Sequence, residues 1–408
     1  MAFGQVPDGL SFGGWGRAVF VPVQGQFKDG EDAVFKSGVG AGWKPAYMGV
    51  NIRFSAADGR VGGGADLSHG EGGNKAVGIG DNVNIWAKPF GSDILLVKIG
   101  KYRHDYYRGP GTDGNFQSYV GGPGKSGDAV FNRLGINSPD GGALFESTPI
   151  SGLSIFAEIN PGWDTWGEGI KAADAYKKIQ AGLGYKIPNI GFARAQWVGN
   201  TMDGVIFEPT DNTKPYDPVT NPNIWKGNSA RIEAAFKLEA VEGLNLDIGI
   251  KIPIPVKEEN SFGIDTIYQG NFQLALAGDF TAGDFGITYG LYGAFGGSTA
   301  IDVPNAKRAK LNPTFDLILI PSFKIAAIDA KVGVDLGFKV KGESTTVYSG
   351  TKNGDRETIF GFGGWIERNL GNGLIKTGLA YQLPAYKENG IQGQTGIFTW
   401  PIILEVSF

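Results

Sequence analysis

The chain ends Phe398-Thr399-Trp400-Pro401-Ile402-Ile403-Leu404-Glu405-Val406-Ser407-Phe408. Phe398, Trp400, Ile402, Leu404, Val406 and Phe408 are all large and apolar. The residues between them, Thr399, Pro401, Ile403, Glu405 and Ser407, are mixed. Side chains alternate across a strand, so this segment reads as a strand with one wholly apolar face.

The pattern recurs upstream. Over 328–340 the apolar set is Ile328, Ala330, Val332, Val334, Leu336, Phe338 and Val340, against Asp329, Lys331, Asp335 and Lys339. Over 230–240 it is Ile232, Ala234, Phe236 and Leu238, against Arg231, Glu233, Lys237 and Glu239. Met48, Val50, Ile52 and Phe54 face away from Asn51 and Arg53; Leu246, Ile248, Ile250 and Ile252 face away from Asp247 and Lys251. Strands of soluble sandwiches run to about five or six residues. These approach ten or more, the length that a tilted strand needs to cross a bilayer. A charge on a lipid-facing position at mid-membrane costs about 2–4 kcal/mol, which explains why one parity stays clean.

Counting back from Phe408, short and long links alternate. Short ones fall near 369–373, 325–327, 281–284, 241–243 and 188–189; long ones fall near 384–396, 341–356, 296–312, 255–269 and 201–228. Short turns on one rim and long loops on the other belong to a transmembrane barrel. Further strands are expected near 14–23, 46–55, 60–67, 76–88 and 94–103, then a short strand at 143–148, a turn at 149–152 and a strand at 153–160. The expected fold is all-β: a transmembrane antiparallel up-and-down barrel of about eighteen strands, sixteen being the alternative, with short periplasmic turns and long extracellular loops. Asp81 breaks the lipid-facing parity of its strand, so a bulge or a later strand start is expected there. No linker or shift of composition divides residues 1–408, which read as one barrel domain.

Composition agrees with that reading and excludes others. Charged residues are 19% of the 408, aromatics 12%, and there are 67 Gly with no G-X-Y period, so collagen is excluded. No apolar run is long enough for a transmembrane helix, and a mean hydropathy of −0.12 suits strands that are apolar on one side only. The net charge of −4 and the lack of a basic run argue against nucleic acid as a partner. With no Cys, disulfides, thiolate metal sites and a Cys nucleophile are excluded. No signal-peptide pattern opens the chain, so a mature sequence with an added start Met is expected.

Three segments resemble porins of Gram-negative outer membranes. The end, Leu404, Val406 and the final Phe408, is similar to the terminal signal read by the barrel assembly machinery. Leu96-Val97-Lys98-Ile99-Gly100-Lys101-Tyr102 is similar to the porin strand before the long third loop. Leu144-Phe145-Glu146-Ser147-Thr148-Pro149, followed by Gly152-Leu153-Ser154-Ile155, resembles the strand, turn and strand after it. The opening Phe12-Gly13-Gly14-Trp15-Gly16-Arg17 is similar to spirochaetal barrel proteins.

The resemblance implies a channel in the cell outer membrane for small hydrophilic solutes or ions, embedded in outer-membrane lipid and assembled as a homotrimer. It implies that residues 104–142 fold inward as a pore-constricting loop carrying Asp105, Arg108, Asp113, Asp128 and Arg133, with a short helical turn at 128–134. Opposite them, Arg53, Lys98, Arg194 and Arg231, each on the inward parity of its strand, would form the pore wall. A ring of charges at a constriction selects by size and sign. The family's run of three adjacent wall arginines is missing here.

Enzymatic chemistry is not expected. The two histidines are His69 and His104, and His104 and Asp105, as strand neighbours, point to opposite faces. Gly121-Gly122-Pro123-Gly124-Lys125-Ser126 lacks the spacing of a phosphate loop, and Asp29-Gly30-Glu31-Asp32 reads as solvated loop acids, so no metal or cofactor is expected. Trp163, Trp166, Trp225, Trp365 and Trp400 read as interfacial girdle residues, with a sugar-stacking track as the alternative. The Asn-, Pro- and Asp-rich stretch 201–228 motivates a second reading, an outer-membrane adhesin or structural surface protein with an occluded barrel.

Overall fold

Alternation of apolar and polar residues over ten or more positions leaves each strand with one face for hydrocarbon and one for water, and a sheet of such strands buries its backbone groups only by closing. The computed structural model of the chain shows that closure. It describes residues 9–28, 32–39, 46–56, 58–69, 77–108, 133–159, 179–201, 206–209, 223–226, 229–254, 256–259, 265–268, 272–295, 300–301, 314–341, 344–345, 352–353, 357–387 and 394–407.

The wall runs β1 (Leu10–Lys28), β2 (Ala46–Ser55), β3 (Val61–His69), β4 (Val77–Ala87), β5 (Leu96–Arg108) and β6 (Arg133–Ile150). It continues through β7 (Leu153–Ile159), β8 (Ile179–Ile187), β9 (Gly191–Thr201), β10 (Ser229–Val241), β11 (Leu244–Ile254) and β12 (Phe272–Ala282). The last third is β13 (Phe285–Phe295), β14 (Thr314–Ile325), β15 (Ala330–Lys341), β16 (Glu357–Asn369), β17 (Gly373–Lys387) and β18 (Gln394–Ser407). Each strand pairs antiparallel with the next, and β18 pairs back onto β1 from Trp15–Ser407 to Lys28–Gln394. The wall therefore has eighteen positions, and the sixteen-strand alternative falls.

One position is shared. The segment Val34–Val39 pairs with the upper half of β1, while β2 pairs with its lower half. The first long link was expected as a loop; part of it instead extends the sheet. Among the described residues, other long links carry short hairpins, such as Ile206–Pro209 with Asn223–Lys226 and Val256–Glu259 with Asp265–Tyr268.

The short turns lie where they were expected. Gly243 has φ +76°, and a Cβ there would sit 2.3 Å from the Thr281 carbonyl oxygen, so the turn between β10 and β11 requires glycine. Between β14 and β15 a single 3-10 turn, Ala326–Ile328, ends at Asp329 with φ 48°. Ile328 thus belongs to the turn and not to the strand face.

The expected face holds along each tested strand. On β15 Val334 is 43% exposed on the outside and Asp335 is 1% exposed inside. On β18 Trp400, Leu404 and Val406 face out, while Thr399 and Ile403 are buried inside. The final Phe408 lies outside the described residues.

The irregularity anticipated at Asp81 is a bulge. Ala65 pairs with Val83 and Leu67 with Ile79, so β4 carries two more residues than β3 over that step. The face is preserved on both sides of it.

Candidate functional site: the inner wall

On β9, β10 and β11 the register places Gln196 beside Glu233 and Glu233 beside Lys251. Residues directly paired across strands share a face, so their side chains meet inside. Gln196 donates to Glu233 Oε2 at 2.7 Å, Arg231 Nε donates to Glu233 Oε1 at 2.5 Å, and Lys251 Nζ lies 3.6 Å from the same oxygen. Arg194 Nε donates to Gln196 Oε1 at 3.2 Å. Glu233 is 1% exposed and Arg194 3%. A carboxylate taken out of water needs several charge-assisted partners, and Glu233 has them. The network holds three cations around one carboxylate, and buried Glu158 stands on β7 nearby in the sheet.

Arg194 also lies on a ring. Its Cζ is 4.2 Å from the Phe156 centroid, and Phe156 in turn lies over Gly182, where a Cβ would meet the ring at 2.6 Å. The same layering occurs at Trp86, which covers Gly62 and lies 5.8 Å from Lys88 Nζ. Glycine lets a large side chain lie flat on the wall, so a ring occupies little of the bore.

A second polar group forms on β2 to β5. Arg53 ion-pairs with Asp66, Asn82 donates to Asp66 Oδ2 at 2.7 Å, and Lys98 Nζ lies 5.9 Å over the ring of buried Tyr102. The remaining wall, β12 to β18 with β1, mixes an apolar cluster with buried polar groups such as Asp316, Ser322, Gln382 and Thr399. Val19, Val21, Ala275, Ala277, Tyr292, Ile318, Ile320, Ala380 and Ile403 pack there with Trp365. Arg17–Glu405 and Lys376–Glu367 add ion pairs within that sector.

Trp365 is a correction. It is not a girdle residue but an inner-wall one, 7% exposed. Its Nε1 donates to Asp335 Oδ1 at 2.6 Å, Lys376 Nζ lies 3.7 Å from its ring centre, and its ring covers Gly333. Parity gives the reason: Trp365 pairs with Gly333 and Gly378, between outward Gly364 and Ile366. Trp400 does face outward; Trp163, Trp166 and the side chain of Trp225 lie outside the described residues.

All four expected wall cations, Arg53, Lys98, Arg194 and Arg231, thus stand on the inner face. The structure groups Arg194 with Arg231 and holds Arg53 and Lys98 in a separate sector. Of the expected loop residues, Asp113 and Asp128 lie outside the described residues. Asp105 and Arg108 are on the backbone of β5, and Arg133 is on β6, where Arg108 pairs with Arg133. The hairpin therefore climbs further than the expected loop limits of 104 and 142, because hydrogen-bonded pairing continues past the apolar rows. Leu134, expected in a helical turn, is paired in that hairpin. Gln196, Glu233, Lys251 and Asp335 were missed as site residues, although inward parity already marked Glu233, Lys251 and Asp335.

No protein-family description matches the chain, and no curated protein does. Solved structures do match. OccK9 (OpdG) of Pseudomonas aeruginosa aligns over 98% of this chain and 98% of its own, with TM-score 0.50 and 11% identity. A doubly substituted OccD1 (OprD) aligns over 100% and 97%, with TM-score 0.50 and 10% identity. An anion-selective porin of Comamonas acidovorans aligns over 98% and 99%, with TM-score 0.46 and 10% identity. The chain has the fold of an outer-membrane porin. At such identities the likeness concerns the porin fold alone. The setting follows from the wall itself: a closed barrel with an apolar outside and a charged inside is built for the outer membrane.

Proposed function

We propose that this porin-fold barrel is a passive diffusion channel for small hydrophilic solutes or ions. The observation that carries this reading is the buried network of Arg194, Gln196, Arg231, Glu233 and Lys251 on the inner wall, opposite in parity to a clean apolar outer face. Charge fixed along a water-filled path selects permeants by sign and size and needs neither a cofactor nor an energy source. In this reading residues 1–408 act as one barrel domain, and the part of the 104–142 segment beyond the paired Arg108 and Arg133 narrows the bore, carrying Asp113 and Asp128. Leu404, Val406 and Phe408 serve as the assembly signal. No step of the function is catalytic.

Planar-bilayer recording tests it. The purified protein is expected to conduct in discrete steps, and deletion of residues 109–127 to raise the step size. A barrel closed in both forms would sink the channel reading and favour the surface-adhesin alternative. Liposome swelling by small sugars separates the two, since an occluded barrel passes none.

A further inference from the structure

We propose that the inner wall at the short-turn mouth of the barrel binds a small zwitterion, a solute carrying one carboxylate and one ammonium group. The inference rests on the barrel fold and not on the channel reading. It concerns the ends of β13 to β16, beside the turns at 283–284 and 326–329.

Register fixes which side chains share that surface. Thr281 pairs with Gly286, Gly286 with Ser322, Ser322 with Gly333 and Gly333 with Trp365. Trp365 lies on the inner wall, so the whole row faces the bore. One row nearer the turns, Lys324 pairs with Lys331, Lys331 with Glu367 and Glu367 with Lys376. Each of these stands two residues along its strand from the first row, on the same face. A cavity of about 260 Å³ opens here, bordered by Thr281, Ser322, Lys324, Lys331, Asp284 and Asp329. Pockets for drug-sized ligands run to roughly 300–1,000 Å³, so the occupant is smaller than those.

Charge decides what the occupant is. Like charges directly opposite on neighbouring strands destabilise a sheet, and Lys324 and Lys331 are such a pair. Glu367 does not relieve them, because its carboxylate ion-pairs with Lys376 at 3.5 Å. Lys331 Nζ stands 6.0 Å from the Trp365 ring centre, at the outer limit of a cation–π contact. Asp284 and Asp329 border the same cavity, yet among the described residues no ion pair joins either of them to Lys324 or Lys331. The backbone is already close, since the Lys324 amide donates to the Asp284 carbonyl oxygen at 2.8 Å. Both signs therefore border one space without cancelling. An anion would meet the lysines and be repelled by the aspartates, and a cation the reverse. A solute with one charge of each sign is held by both sets through charge-assisted hydrogen bonds.

Two residues fit that occupant further. Ser322 is 7% exposed and lines the cavity, and its Oγ donates to the Gly286 carbonyl oxygen at 3.4 Å. Its lone pairs remain as acceptors for an ammonium group. Asp329 has φ 48°, a conformation that glycine adopts without strain and a side chain adopts at a cost. The residue kept there sets a carboxylate at the end of the 326–328 turn, on the border of the cavity.

Glycylglycine is the probe. Saturation-transfer NMR on the intact detergent-solubilised chain is expected to show saturable binding. N-acetylglycylglycine lacks the ammonium group and glycylglycinamide lacks the carboxylate, and each is expected to bind about tenfold more weakly. Combining Lys324→Gln with Lys331→Gln is expected to weaken glycylglycine about tenfold. Asp329→Asn, which keeps a side chain suited to positive φ, is expected to do the same. Lys36→Gln, at the opposite rim, is expected to change nothing. Should the double variant not form a protease-resistant barrel, Asp329→Asn and the two modified dipeptides decide. Failure to saturate, or an affinity unchanged in the variants, overturns the proposal. So does an acetylated dipeptide that binds as tightly as its parent, which is the mark of a plain anion site. No conductance enters the measurement, so a barrel that fails to conduct leaves this inference standing.

Discussion

A glycine beneath a ring recurs on the inner wall, and it ties the high glycine content to the bore. At Gly333 a Cβ would approach Trp365 to 2.2 Å, so Gly333→Val must lift the ring off the wall. Overpacking of this kind costs about 1–3 kcal/mol, and denaturant titration followed by tryptophan emission is expected to show that loss with a shifted native spectrum. Glu233 carries a different weight. Glu233→Gln removes the carboxylate shared by Arg231 and Lys251, and reversal-potential measurements are expected to move toward anions. Loss of the charge-assisted bonds is expected to cost roughly 1.5–3 kcal/mol in unfolding. That Glu233 faces inward was legible from the alternation over 230–240. That Gln196 and Lys251 meet it was not, because pairing across strands joins residues 37 and 18 positions apart in sequence.

At the scale of the strand, the outer and inner faces answer to different solvents. Phe362 lies outward at the middle of β16. Phe362→Arg is therefore expected to destabilise the inserted barrel by about 2–4 kcal/mol, measured by reversible unfolding from lipid vesicles, with much smaller effects for the same change at a rim. β18 has a further task, since it holds both β17 and β1. Removing residues 394–408 opens two edges whose backbone groups would lie in hydrocarbon. Such a chain is expected to fail membrane insertion, read as loss of the protease-resistant barrel. Strand identity and direction were legible because period two repeats over long stretches. The extent of β5 and β6 was not: beyond Tyr102 and before Ala143 the residues stop alternating, and only backbone pairing reveals that the hairpin continues.

Across the whole molecule, fixed charge lines the bore on strands all round the barrel. Strands β2 to β11 carry Arg53, Asp66, Lys98, Arg194, Glu233 and Lys251 inward, and β12 to β18 with β1 add Arg17, Asp316, Asp335, Glu367, Lys376 and Glu405 among aliphatic and aromatic side chains. Such a lumen is expected to pass solutes at rates that depend on their sign, with a cation-to-anion ratio that falls when Glu233 is neutralised. Salt titration of the single-channel ratio checks this, because screening weakens exposed fixed charge as ionic strength rises.

The sequence by itself determined that this is a barrel, left its strand count between eighteen and sixteen, and showed which face of the strongly alternating strands meets lipid. Those features depend on local alternation and on the lengths of links, both written along the chain from Phe408 backward. The tertiary structure alone decided that eighteen strands close the wall, which inward residues become neighbours, and that Trp365 lies on the inner wall over Gly333. Register and closure bring together residues far apart in the chain, and a period-two pattern carries no information about which row on one strand stands beside which row on the next.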